Sequence, residues 1–294
     1  MVAITPIGLA ETVLWGVAYG CVYILLATGL NLIFGVMKLV NFAHGQLLMV
    51  GAFIAYEATT IAGINPYASI LLSIGSVALI GIVLEKFAFS KIRGTDKLNE
   101  IFISLGLIYV FQSVATLFWE QNYSIRIPSP LSGLGLSLGE MSLNYDLLLA
   151  VVIVVVILIG LVVLTKKTKF GLAMRATSQK SDASMLMGIN INRIYIFTFA
   201  IGSGLAGAAG TLYGILFSFD PTTGALPTIK AFAIIILGGL GSIPGAVAGG
   251  LLYGIAENTA GYLTSGIWTD AVAFALLIVV LVIRPTGLFG EKGE

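Results

Sequence analysis

Residues Leu147 to Leu164 form an unbroken apolar run without one charged or hydrogen-bonding side chain. Such a run has no place on the surface of a water-soluble domain. As a helix rising about 1.5 Å per residue, it is close to the roughly 20 residues that cross the hydrocarbon core of a bilayer. In hydrocarbon every backbone N–H and C=O must find a partner inside the protein, which only helices and closed barrels achieve. Barrel strands alternate apolar and polar residues. This run does not alternate, so it reads as a helix. Comparable runs cover 12–34, 42–62, 67–89, 98–119, 196–219, 245–264 and 268–284. Only 10% of residues are charged and 58% are hydrophobic, against about 25% charged in soluble domains. The expected fold is therefore all-α, a polytopic membrane helix bundle of about eight spans, one domain over 1–294.

A ninth segment, 229–238, is too short to cross. It runs into Gly238-Gly239-Leu240-Gly241-Ser242-Ile243-Pro244-Gly245, a helix-breaking stretch in apolar surroundings. Two arrangements satisfy it: two short spans over 229–264, or a re-entrant half-helix. Lysines and arginines set the orientation, because they concentrate in cytoplasmic loops. Lys38, Lys86, Lys91, Arg93, Lys97, the loop 166–195 with Lys166, Lys167, Lys169, Arg175, Lys180 and Arg193, and then Arg284 and Lys292 all fall on one side. Arg126 and Lys230 fall on the other. This predicts the N-terminus outside, the C-terminus cytoplasmic, a long turn-rich outer loop over 120–145 and a basic cytoplasmic loop over 166–195. Helix-forming stretches in that inner loop follow Thr177 and Ser178, read as N-caps, in a helix lying at the membrane surface. The net charge of +1 says nothing about nucleic acid, but no basic tract resembles a nucleic-acid site, so no such partner is expected.

Glycines recur four apart inside the apolar runs: Gly16 and Gly20, Gly210 and Gly214, Gly245 and Gly249, Gly250 and Gly254. Small residues at that spacing let helices approach closely. The single cysteine, Cys21, reads as a small packing residue. Gly202-Ser203-Gly204-Leu205-Ala206-Gly207 matches a dinucleotide-binding pattern, but it lies within a span and lacks the strand–turn–helix context that pattern needs.

Two places concentrate polar or flexible residues at membrane depth. The first is the turn from Asn31 to Gln46, with Asn41, His44, Gly45 and Gln46. Buried polar groups there either face a transport path or gate, or cap the second helix. The second is the break at Gly238, Gly239, Gly241, Ser242 and Pro244. Broken helices expose backbone groups that can meet a polar solute, although tight helix crossing also needs small residues. Glu57 and Glu257 read as outer helix ends, Asp270 as the start of the last span, and Glu100 as an acid favoured by the dipole of the fourth helix. One histidine cannot build a metal site, and nothing resembles catalytic or phosphate-binding machinery. The chain reads as non-enzymatic and binding no cofactor of its own.

Four blocks make the sequence resemble the permease subunits of branched-chain amino acid ABC importers, specifically the subunit with the Asn-Phe-Ala-His-Gly signature. They are Gly29 to Gly45, including Asn41-Phe42-Ala43-His44-Gly45; Gly171-Leu172-Ala173-Met174-Arg175-Ala176 through Gly188-Ile189-Asn190; Lys230-Ala231-Phe232 through Glu257; and Arg284-Pro285-Thr286-Gly287-Leu288. The resemblance implies a second homologous permease, two cytoplasmic ATPases that use ATP and Mg, an extracytoplasmic substrate-binding protein, and the inner membrane of a prokaryote. It also implies a coupling helix that docks on an ATPase, matched here by Arg175, Thr177, Ser178, Asp182, Met185 and Gly188. Gln46 stands where some relatives carry Glu, and Ser178-Gln179-Lys180 where relatives often carry an acidic pair. The family also handles urea and short amides. A stand-alone channel or secondary transporter is the alternative from another class, and it requires an ion-coupling carboxylate at mid-membrane.

Overall fold

The computed structural model describes residues 5–119, 124–138, 141–264, 266 and 268–290. The helices in chain order are α1 (Pro6–Met37), α2 (His44–Thr60), α3 (Ser69–Leu84), continued through a π-turn at Glu85–Phe89 into α4 (Ser90–Ile92), then α5 (Lys97–Phe118), α6 (Tyr145–Lys167), α7 (Lys169–Gln179), α8 (Ser181–Leu186), α9 (Ile191–Leu216), α10 (Ala225–Gly238), α11 (Ile243–Thr264) and α12 (Thr269–Ile283). Among the described residues, five uninterrupted segments are long and apolar enough to cross a membrane: α1, α3 through α4, α5, α6 and α9. The α10–α11 pair adds a sixth if the two count as one span, bent by 117° at the break. The apolar runs predict about eight spans; α2 and α12, at 17 and 15 residues, are shorter than these five and make up the difference.

α1 and α9 are central, with 83% of the spanning window buried in each, whereas α5 has 11%. The outer helices turn Leu71, Phe102, Leu117, Val156 and Val282 outward, which is the surface a lipid solvent requires. The centre is held by glycine contacts rather than large side chains. A Cβ on Gly16 would stand 2.8 Å from the Gly254 carbonyl oxygen, and one on Gly254 would stand 2.4 Å from the Gly16 oxygen. Gly20 meets Gly250, Gly29 meets Gly202, and Gly51 meets Gly207 in the same way. Of the glycines spaced four apart, Gly16, Gly20, Gly250 and Gly254 form the seam of α1 with α11, Gly210 packs α9 on Leu48 of α2, and Gly245 and Gly249 pack α11 on α10. Gly202 and Gly207 serve this packing, not a nucleotide.

Local chemistry sets the ends. Thr5 caps α1 by accepting the Gly8 N–H at 3.0 Å. Lys38 ends it in the left-handed region at φ 55°, and Lys97 Nζ holds that turn by donating to the Lys38 carbonyl at 2.7 Å. Glu100 is buried and accepts from the Val40 N–H at 3.3 Å, so it latches the first turn as well as opening α5.

Two expectations change, and the turn-rich outer loop gains a hairpin. Thr177 and Ser178 are not N-caps: α7 starts at Lys169, and Thr168 caps it by accepting the Gly171 N–H at 3.0 Å. The outer loop contains an antiparallel hairpin, β1 (Gly135–Leu138) with β2 (Met141–Asn144), in the register Gly135 to Asn144. A short turn-rich segment next to a membrane face can satisfy its backbone this way without a helix. Glu257 is not a solvated helix end, because its side chain is 12% exposed and ion-paired with Lys230 of α10. Lys230 is correspondingly not a loop charge.

Candidate functional site at the helix break

The break between α10 and α11 is closed on both sides. Gly238 and Gly245 face each other so closely that a Cβ on Gly245 would lie 2.3 Å from the Gly238 oxygen. Gly239 and Gly241 take φ values of 106° and 85°, conformations that glycine adopts without a steric cost. Ser242 caps α11, its hydroxyl accepting the Gly245 N–H at 3.1 Å, and Pro244 sits in the first turn where no N–H is needed.

The backbone groups freed by the break have partners. From α1, Asn31 Oδ1 accepts the Gly241 N–H at 2.7 Å and Asn31 Nδ2 donates to the Ser242 carbonyl at 2.7 Å. The tail after α12 supplies two more: Leu288 N–H donates to Leu237 O and Phe289 N–H to Gly238 O, each at 2.9 Å. This explains the Arg284–Leu288 block, which turns through Gly287 (φ 79°) to cap α10. In the structure these bonds hold the break in place.

Gly241, Ser242 and Pro244 line a cavity of about 450 Å³ together with Asn31 and Gly35 of α1 and Arg175 and Ser178 of α7. Two candidate regions far apart in sequence, the break and the amphipathic loop, thus share one space. Arg175 extends from α7 to donate to the Thr165 carbonyl near the end of α6, and Ser178 bonds the Arg175 carbonyl at 2.8 Å.

The other candidates separate. Asn41, His44 and Gln46 are fully buried. Asn41 Oδ1 accepts the Ala43 N–H at 3.0 Å, shaping the turn before α2. His44 packs against Gly29, and Gln46 against Gly224. Gly45 N–H donates to Thr228 Oγ1 at 3.0 Å, and a Cβ on Gly45 would lie 2.1 Å from the Gly224 oxygen. Gly45 and Gln46 seat α2 on the start of α10, and none of the four lines the cavity at the break. Of the residues matched to a docking role, Thr177 is buried and bonds the Ala173 carbonyl at 2.9 Å. Asp182, Met185 and Gly188 are exposed. Leu186 and Met187 beside them, which no motif singles out, are 89% and 83% exposed. An aliphatic pair at the end of a polar loop was the available signal. Asn31 was legible too, as a lone amide deep in an apolar helix.

A bundle with its apolar side chains turned outward around a glycine-packed centre is an integral membrane protein. The family model described as the branched-chain amino acid transport system permease component matches residues 12–281, and the chain belongs to this family. The high-affinity branched-chain amino acid transport system permease protein BraD of Pseudomonas aeruginosa is 34% identical over 290 residues, covering 94% of each chain. LivH of Escherichia coli is 33% identical over 291 residues, again covering 94% of each. The probable LivH of Methanocaldococcus jannaschii is 29% identical over 93% of this chain and 90% of its own.

Proposed function

We propose that this chain is a transport subunit, not an enzyme, of an ATP-binding-cassette importer that takes branched-chain amino acids across a prokaryotic inner membrane by alternating access. It works with a second homologous permease, two cytoplasmic ATPases that bind the ATP and Mg, and an extracytoplasmic binding protein. The N-terminus lies outside and the C-terminus in the cytoplasm, so the basic loop 166–195 faces the ATPases. With Lys230 withdrawn into an ion pair, Arg126 is the only lysine or arginine left for the outer loops, which supports this orientation.

The observation that carries the mechanism is the cavity shared by α7 and the α10–α11 break. The exposed end of α8, with Asp182, Met185, Leu186, Met187 and Gly188, docks on an ATPase. Closure of the ATPases on ATP displaces α7, and Arg175 transmits the shift to the end of α6. The break, tied to α1 through Asn31, then moves with it. A hinge of this kind needs discrete alternative packings rather than gradual bending, and backbone-to-backbone glycine seams allow helices to slide as units.

The test is reconstitution in proteoliposomes of this chain with its second permease, ATPases and binding protein. ATP-dependent leucine uptake that requires all components is the expected result. Leucine uptake by this chain alone, driven by an ion gradient, would overturn the reading.

A further inference from the structure

At the other end of α1 from the coupling loop, a second cavity of about 490 Å³ opens between α1, α11 and the start of α12. Trp15, Tyr19 and Tyr23 project into it from one face of α1 at helical spacing, Phe217 closes it from the end of α9, and Glu257 and Asn258 line it from α11. The aromatic wall is continuous: ring centroids are 5.4 Å apart for Trp15 and Tyr19 and 4.6 Å for Tyr19 and Phe217. Behind Glu257, Lys230 completes the ion pair and also stands 5.4 Å from the centre of the Tyr23 ring.

This combination specifies a ligand. Lys230 neutralises Glu257, so the wall carries no net charge, and a lone cation or anion would leave an unbalanced charge beside the buried pair. A zwitterion would not. Its ammonium is attracted to the Glu257 carboxylate and to the aromatic faces. Its carboxylate finds a donor in the hydroxyl of Tyr19. An aliphatic side chain fits against the Trp15 and Phe217 rings. A buried ionised pair inside a membrane bundle is costly to keep, and such pairs mark solute pathways.

We propose that this cavity is a binding site for the α-amino acid in transit, with Glu257 holding the ammonium group, Lys230 balancing the charge, and Trp15, Tyr19 and Phe217 receiving the aliphatic side chain. The proposal rests on the branched-chain importer reading and places a solute site where no backbone break supplies one.

The experiment uses the complete importer in proteoliposomes with the binding protein outside and a diazirine analogue of leucine as probe. On illumination of the wild-type assembly, the adduct maps to α1 within residues 12–23 or to residues 257–269. In parallel, K230M/E257Q and the cavity-filling T12W lower leucine uptake about tenfold or more, the scale of one lost charge-assisted contact, while ATP hydrolysis stimulated by the binding protein continues. An adduct found only elsewhere overturns the site, as does wild-type uptake by both variants. The photolabel needs no variant, so a misfolded mutant does not remove the test. A wild-type importer that hydrolyses ATP yet never takes up leucine defeats the substrate reading itself. Uptake with the label elsewhere defeats the site alone.

Discussion

Asn31 clasps Gly241 across the bundle: its side-chain oxygen accepts the glycine N–H at 2.7 Å while its amide nitrogen donates to the carbonyl of the next residue, Ser242, also at 2.7 Å. One side chain thus answers both polarities of a broken backbone at membrane depth. Asn31→Ala leaves a donor and an acceptor without partners, at about 1–3 kcal/mol for each orphaned group. The variant is expected to melt earlier in detergent and to lose transport. An unchanged melting temperature would show that the break is held elsewhere.

The glycine seams predict a sharp positional contrast. In Gly254→Val the new side chain meets the Gly16 oxygen 2.4 Å and the Gly20 Cα 2.6 Å from its Cβ. Forcing α1 and α11 apart costs about 1–3 kcal/mol or more. Gly106 of α5 and Gly160 of α6 have nothing within 4 Å, so alanine there is expected to be neutral or to stabilise by up to about 1 kcal/mol. Thermal unfolding of the three purified variants checks the order.

Removing one member of the buried pair differs from removing both. Lys230→Met strands the Glu257 carboxylate in a site where each side chain is about one-tenth exposed, and breaking such a pair costs about 3–5 kcal/mol. Adding Glu257→Gln recovers most of that loss. A double-mutant cycle on thermal stability reads the coupling, and simple additivity would mean the pair is not formed.

Coupling is expected to fail without loss of insertion when the exposed end of α8 is altered. Leu186→Asp with Met187→Asp puts charge where apolar contact is offered, so ATP hydrolysis continues and uptake falls. Arg175→Ala has the same sign through the lost bond to the Thr165 carbonyl. Gly188→Ala adds a smaller effect, because at φ 82° a side chain costs about 1–2 kcal/mol. Uptake per ATP hydrolysed, measured in proteoliposomes, decides the matter. Wild-type ratios in all three would remove α7 and α8 from the coupling path.

The outer loop carries a pH signature. Tyr67 and Ser129 both bond the Asp146 carboxylate, and burial, then the bond to Asp146, pushes the Tyr67 phenol above its ordinary range. A group whose folded pKa is raised stabilises the fold below its unfolded value, about 10 for tyrosine, and loses that contribution as pH rises through the folded value. Stability is therefore expected to be insensitive to Tyr67 from neutral pH to about 9 and to fall beyond about 10. Tyr67→Phe lowers stability by roughly 1 kcal/mol at neutral pH and flattens the alkaline limb. A wild-type alkaline limb identical to that of the variant would contradict this assignment.

The helical class, the membrane setting, the glycine seams and the break were legible in the amino-acid order. Each is a local consequence of composition and spacing. Leu147–Leu164 can only be a helix in lipid, and Gly238–Gly245 cannot continue one. Family membership was legible for the same reason, since motifs such as Asn41–Gly45 are contiguous. What lies between elements was not. Period and propensity do not say that Asn31 and the tail at Leu288 fill the bonds left open by the break. Nor do they say that Glu257 pairs with Lys230 instead of reaching solvent, or that Arg175 shares a cavity with Ser242. Those outcomes depend on which helices meet and at what rotation. In a bundle apolar on nearly every face, hydrophobicity no longer distinguishes one contact from another. Backbone approach at glycines and the satisfaction of buried polar groups decide the partners, and both exist only in three dimensions.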